Sequence, residues 1–156
     1  MKTYVLIISE YFPKSHIRAG ELTNFIPSIK LGIKKHTIRG NFELWEKRFE
    51  EVKKGNACIS VRSWIGKPYK SKQKEHIVFT DVDGIGIEKV IISLEYKRAF
   101  IDSPYASTLV PIKEISNNDG LVATDFSDWF KNMRPLERMA IIHFTKFRYL
   151  KWKTKN

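Results

Sequence analysis

The sequence predicts an α+β fold, a small mixed β-barrel with flanking helices. Apolar runs of strand length, rich in β-branched residues, recur at residues 3–9, 57–64, 75–80, 85–96 and 138–150. Strong helical periodicity is confined to one long segment, "FELWEKRFEEVKKG", with two weaker candidates. Strand-like runs follow one another directly in the second half of the chain, which is not the alternating order of a parallel βαβ sheet.

Element by element, "TYVLIIS" suits a buried strand. Its apolar run is too short for a signal-peptide core, and no small-residue cleavage site follows. "RAGELTNFIPSIKLG" reads as a helix of about ten residues closed by Gly32, with Pro27 predicting a kink or an early end. "KKHTIR" is extended. In a regular strand Lys35, Thr37 and Arg39 would share one face and Lys34, His36 and Ile38 the other.

Asn41 is placed to cap the long helix, where Phe42, Trp45, Phe49 and Val52 form one apolar stripe. Acidic residues gather early and lysines late, as the helix dipole favours, and Gly55 ends the run. "ACISVRSW" is a strand, followed by the basic loop "GKPYKSKQK". Two further strands join near Asp83 and Gly84. "SPYASTLVP" reads as loop and short strand, and "SNNDG" as a turn. A helix capped by Thr124 or Asp125 runs through Phe126, Trp129 and Phe130 to Pro135. "RMAIIHFTKFRYL" is a late strand, and residues 150–156 form a basic tail expected to fray. No repeat, low-complexity block or linker divides the 156 residues, so one domain is expected.

Composition narrows the function classes. With 42% hydrophobic and 13% aromatic residues the chain can bury a core, and no apolar run is long enough to cross a bilayer. Cys58 is the only cysteine and lies in a strand, which excludes an internal disulfide and a cysteine zinc site. Together these features suit a reducing cytoplasm. The net charge of +11, from 28 Lys plus Arg against 17 Asp plus Glu, favours a phosphate-bearing partner such as RNA or a nucleotide.

Several motifs are near misses. "DGIGIEK" lacks the third glycine of a dinucleotide fingerprint and continues as strand. "GKPYKSK" lacks the first glycine of a phosphate loop, and Pro68 stands where a hydroxyl would meet magnesium. That loop can still grip a nucleic-acid backbone through Lys67 and Lys70 while Tyr69 stacks on a base. His16, His36, His76 and His143 have no i, i+4 pairing with an acid, so neither metal nor cofactor is expected. No Gly-x-Ser-x-Gly elbow is present.

Gly32-x-Lys34-x-x-Thr37-x-Arg39 resembles the G-x-K-x-x-T-x-R signature of the ASCH domain family, in the PUA-like superfamily. The order of later segments is similar too, so the resemblance covers about residues 20–149; "WIGKPYKSKQ" is an insertion relative to the family. The resemblance implies a small barrel with a basic cleft for RNA, a nucleotide or a nucleoside. Some small bacterial members are metal-independent amidohydrolases that remove an acyl group from acetylated cytidine. By position, it makes Lys34 the base or charge stabiliser, Thr37 the nucleophile, Glu75 the proton shuttle and Arg39 an anchor. Lys35, Arg39, Arg62, Lys67, Tyr69 and Lys70 are then the candidate substrate or nucleic-acid contacts. A hydroxyl needs an adjacent base, and a lysine serves as one only if burial or a nearby cation lowers its pKa. Because Lys34 and Thr37 lie three apart, a shared site requires a bend between them. Plain backbone-phosphate binding by the same residues is the competing expectation.

Overall fold

The computed structural model describes residues 1–150, so the tail from 151 onward lies outside the described residues. The described residues form an α+β fold with eight strands, four α-helices and a short 3-10 turn. In chain order the elements are β1 (Lys2–Ile7), α1 (Phe25–Lys30), β2 (His36–Gly40), α2 (Phe42–Lys53), β3 (Ala57–Trp64) and β4 (Gln73–Phe79). They continue with β5 (Gly86–Ser93), β6 (Arg98–Asp102), β7 (Ser107–Pro111), α3 (Ile112–Asn118), α4 (Ala123–Trp129) and β8 (Met139–His143).

The strands form two sheets rather than one ring. A three-stranded sheet runs β1-β3-β4, with β1 parallel to β3 and β4 antiparallel to it. A five-stranded antiparallel sheet runs β2-β8-β5-β6-β7. The mixed strand directions agree with expectation. No ladder among the described residues closes one sheet onto the other, so hydrogen bonding does not make a barrel. The sheets are held instead by packing: Leu6, Ile59 and Val61 from the small sheet share a core with Ile38, Val90, Ile101 and Ile141 from the large one.

Local chemistry explains most elements. The Asn41 side chain accepts the Leu44 N–H at 3.2 Å, and α2 buries Trp45, Phe49 and Val52. Along β5, burial alternates with period two, as one covered face requires. β8 is buried at every position because it lies between β2 and β5.

Four sequence expectations change. The first helix is only six residues, and Pro27 sits in its first turn, where a missing N–H breaks no helical bond, so no kink follows. The strands flanking Asp83–Gly84 belong to different sheets, because a 3-10 turn and the left-handed Gly84 redirect the chain between them. The cap of α4 is Val122, while Asp125 is buried and binds Arg18 at 2.6 Å. Finally, "SNNDG" is only partly a turn, since α3 runs to Asn118 before Asp119 and Gly120.

Candidate ligand site

The opening of β2 decides how the signature residues meet. Gly32 takes a left-handed conformation at φ +76°, and the Ile33 and Lys34 N–H groups both donate to the Ser28 carbonyl, at 2.9 and 3.1 Å. The Lys35 N–H donates to the Asn118 carbonyl at 2.7 Å. Lys34 therefore precedes the pleat, which starts at His36, and is free of its alternation. That is the bend the spacing demanded. Lys34, Thr37 and Arg39 line one small cavity of about 20 Å³ together with Asp119. Ile8, Phe25 and Leu121 form its apolar walls; exposed Ser9 and the half-buried Trp129 and Phe130 complete the lining. A volume of this size holds one small polar group.

Lys34 is 1% exposed, an extreme for an ammonium. Its Nζ donates to the Asp119 main-chain carbonyl at 2.5 Å and to Asp119 Oδ1 at 3.2 Å. The Phe25 ring centroid lies 4.0 Å from the same nitrogen, a cation–π contact. Burial lowers the Lys34 pKa; Asp119 opposes this and the Arg39 charge adds to it.

Behind Lys34 runs a buried polar chain. Asp119 Oδ1 also meets His36 Nδ1 at 3.3 Å; His36 Nε2 meets the Tyr149 hydroxyl at 2.6 Å; and the Asn118 amide donates to that hydroxyl at 2.9 Å. Donor and acceptor counts allow one consistent assignment with neutral His36. Asn118 donates to Tyr149, Tyr149 to Nε2, and the Nδ1–H to Asp119. Burial pushes the Asp119 carboxyl up, but the Lys34 charge and the His36 bond together hold it below its ordinary range. Burial likewise lowers His36 against the pull of Asp119.

A second buried pair supports the first. His143, the cross-strand partner of His36, bonds Glu88 at 2.8 Å, and Glu88 accepts the Tyr149 and Leu150 N–H groups. This clamp positions Tyr149 over His36. Burial depresses His143 to about 4.

Arg39 serves structure as much as ligand. Its guanidinium donates to the Ile7 carbonyl at 2.6 Å, the Ile38 carbonyl at 2.8 Å and Thr37 Oγ1 at 2.8 Å, tying β2 to the end of β1. Thr37 thus accepts from Arg39 and keeps its own proton for another partner.

The remaining candidates fall into three other places. Lys35 is half-buried with its Nζ 5.1 Å from the Phe147 ring centroid. Arg62 and Glu75 are cross-strand partners on the small sheet: Arg62 donates to Ser60 Oγ at 2.8 Å, and Ser60 donates to Glu75 at 2.5 Å. The described residues lining the cavity do not include Glu75. Lys67, Tyr69 and Lys70 are exposed on the β3–β4 loop, where the Tyr69 and Trp64 ring centroids lie 5.2 Å apart. Asp119, Trp129 and Phe130 are the site residues that sequence reading missed. No group of three or more potential metal ligands occurs among the described residues, and none of their helices is long and apolar enough to cross a membrane.

Gly120 fixes the turn that presents Asp119. It sits at φ +80°, and a Cβ there would lie 3.2 Å from the Lys34 Cβ and 3.3 Å from its Cγ. Gly120→Ala is expected to cost about 1–2 kcal/mol from the backbone alone. A fall in the urea midpoint at unchanged slope is the readout.

The buried histidines set the acid response. With His36 and His143 depressed, the unfolded chain binds more protons than the folded one below the ordinary histidine pKa of 6.5. Stability therefore falls as pH drops from 6.5 toward about 4, by a few kcal/mol. Asp119 and Glu88, both lowered, extend the loss below their own unfolded values. Denaturant midpoints between pH 7.5 and 4.5 measure this, and a flat profile would contradict it.

In comparisons with known proteins, no family model matches the chain, and neither a curated protein nor a solved structure gives a significant match.

Proposed function

We propose that the chain is an ASCH-like, PUA-like domain that binds RNA or a nucleotide or nucleoside, with the Lys34–Thr37–Arg39 cavity reading the bound group. One observation carries this: Lys34, which a regular strand would turn away from Thr37 and Arg39, shares one cavity with them once the bend at Gly32 is made. Tyr69, 89% exposed on the β3–β4 loop, offers a ring on which a base can stack, and Lys67 and Lys70 of the same loop supply phosphate contacts. On this reading the two sheets are the halves of an open PUA-like barrel. Lys34, paired and sealed, is not a phosphate contact; Lys67 and Lys70 take that part.

Fluorescence anisotropy of a short single-stranded RNA across a salt series tests the reading. Affinity should fall steeply with salt, and Lys67→Ala should reduce the log–log slope by about 1. A salt-independent affinity contradicts phosphate contact by the loop.

The lowered Lys34 pKa beside Thr37 favours a second reading, an amidohydrolase acting on an N-acylated nucleoside such as acetylcytidine. In that case Asp119, which lines the cavity, is a better carboxylate for the proton than Glu75. Turnover that survives both Thr37→Val and Asp119→Asn would refute these roles.

A further inference from the structure

The five-stranded sheet ends in an open edge at β7, and the bonding of that edge can be assigned residue by residue. The Ser103 N–H donates to the Ala106 carbonyl and the Ile112 N–H to the Lys97 carbonyl, one bond at each end of the β6–β7 ladder. Hydrogen-bonded pairs alternate along an antiparallel ladder, so Thr108 and Val110 turn their main-chain groups toward β6. Ser107, Leu109 and Pro111 turn theirs outward. No bond among the described residues uses the Ser107 or Leu109 N–H.

Exposed edges are ordinarily blunted by charge. The other edge strands follow that rule: β1 carries Lys2, β2 carries Arg39, and β4 carries Lys74 and Glu75. β7, with the sequence Ser-Thr-Leu-Val-Pro, carries no charge in a chain whose residues are 29% charged. An apolar row also leads to this edge. Ile91, Phe100 and Leu109 are cross-strand partners on the outer face of β5, β6 and β7, and with Tyr96 and Leu136 they line a shallow hollow. Phe100 is 37% exposed and Leu109 58%, so the row lies open to solvent up to the last strand.

We infer that β7 is a self-association edge, pairing antiparallel with β7 of a second copy about a twofold axis through Leu109. The two five-stranded sheets then become one continuous sheet. In that register the two Leu109 residues exchange both N–H···O bonds, and each Ser107 N–H donates to the Pro111 carbonyl of the second copy. Both outward donors are satisfied, and Pro111, which has no N–H, supplies only its carbonyl. A slip of the register can also satisfy the donors, but only the Leu109-centred one joins the two apolar rows, Leu109 against Leu109. Charge agrees with the same axis. The outer-face row through Asp102 and Ser107 continues across the seam to Pro111 and Arg98 of the second copy, so an acid stands toward an arginine on both sides of the axis. This self-complementarity of bonds, apolar row and charge favours a second copy over a foreign strand. The contact is narrow and each copy carries a net charge of +11, so the dimer is reversible and strengthens as salt screens the repulsion.

Sedimentation equilibrium of the full chain from micromolar to millimolar concentration tests the inference. A monomer–dimer equilibrium is expected, shifted toward dimer by added salt. Leu109→Lys sets two like charges against each other at the axis and should weaken dimerisation about tenfold or more. Val78→Lys, at an exposed position of the β4 edge, should leave it unchanged. Hydrogen exchange of the wild-type chain reads the edge directly, however well a variant folds. The Ser107 and Leu109 amides should slow as concentration rises, while Thr108 and Val110, already bonded to β6, should not change. A chain that stays monomeric at millimolar concentration would leave the edge to a strand of another protein and overturn self-pairing. A dimer that resists Leu109→Lys, or that leaves exchange at Ser107 and Leu109 unaltered, would overturn it as well.

Discussion

Asp119→Ala is expected to destabilise the protein by about 3–5 kcal/mol, the scale for removing one partner of a buried ion pair. The loss is large because two groups depend on that carboxylate. The sealed Lys34 ammonium keeps only the residue-119 carbonyl and the face of Phe25, and His36 loses the acceptor that fixes its tautomer. The comparison is internal. Glu51 and Lys54 form a solvent-accessible ion pair at 3.6 Å at the C-terminal end of α2, and Glu51→Ala should cost less than about 1 kcal/mol. Urea denaturation of both variants at pH 7 checks the contrast. Similar small losses would mean that Lys34 is uncharged in the folded protein and that the pair carries little.

Arg39→Ala is the second large effect, expected at about 2–4 kcal/mol with a loss of ligand affinity. Three acceptors on two strands converge on this guanidinium, at 2.6 to 2.8 Å. Removing it leaves the Ile7 and Ile38 carbonyls and the Thr37 hydroxyl without their donor. It also cuts a tie between the two sheets, which share no hydrogen-bonded ladder among the described residues. Arg39→Lys should not restore stability, because one ammonium on a flexible stem cannot reproduce a planar fork that spans three acceptors. Full rescue by lysine would show that charge alone matters at this position.

What could be read from the sequence follows from how local the cause was. The stripe of α2 and its Asn41 cap are properties of consecutive residues, and the structure contains both. β3 was visible as an apolar run whatever it pairs with, and so was β8, although that strand ends at His143 and does not continue through residue 150 as expected. The requirement for a bend before Thr37 was also visible in the spacing, although its means, Gly32 with the shared Ser28 carbonyl, was not. By contrast, α3 is seven residues with no side-chain cap, too short for periodicity to reveal it. Asp119 looked like a turn residue because its partners Lys34 and His36 are more than eighty residues away. Glu75 drew attention through its place in the chain, yet its bonds are to Ser60 and to the neighbouring strand. The split of β4 and β5 into separate sheets is a long-range outcome that a turn dipeptide does not encode.

The central claim is that the Lys34, Thr37 and Asp119 cavity is where a nucleoside-type ligand enters. Backbone and indole amide shifts of the full chain, followed as cytidine or adenosine is added, test it most directly. The account predicts saturable shifts at Thr37, at Gly120 and at the Trp129 indole. Shifts confined to the β3–β4 loop, or none anywhere at millimolar nucleoside, would contradict it.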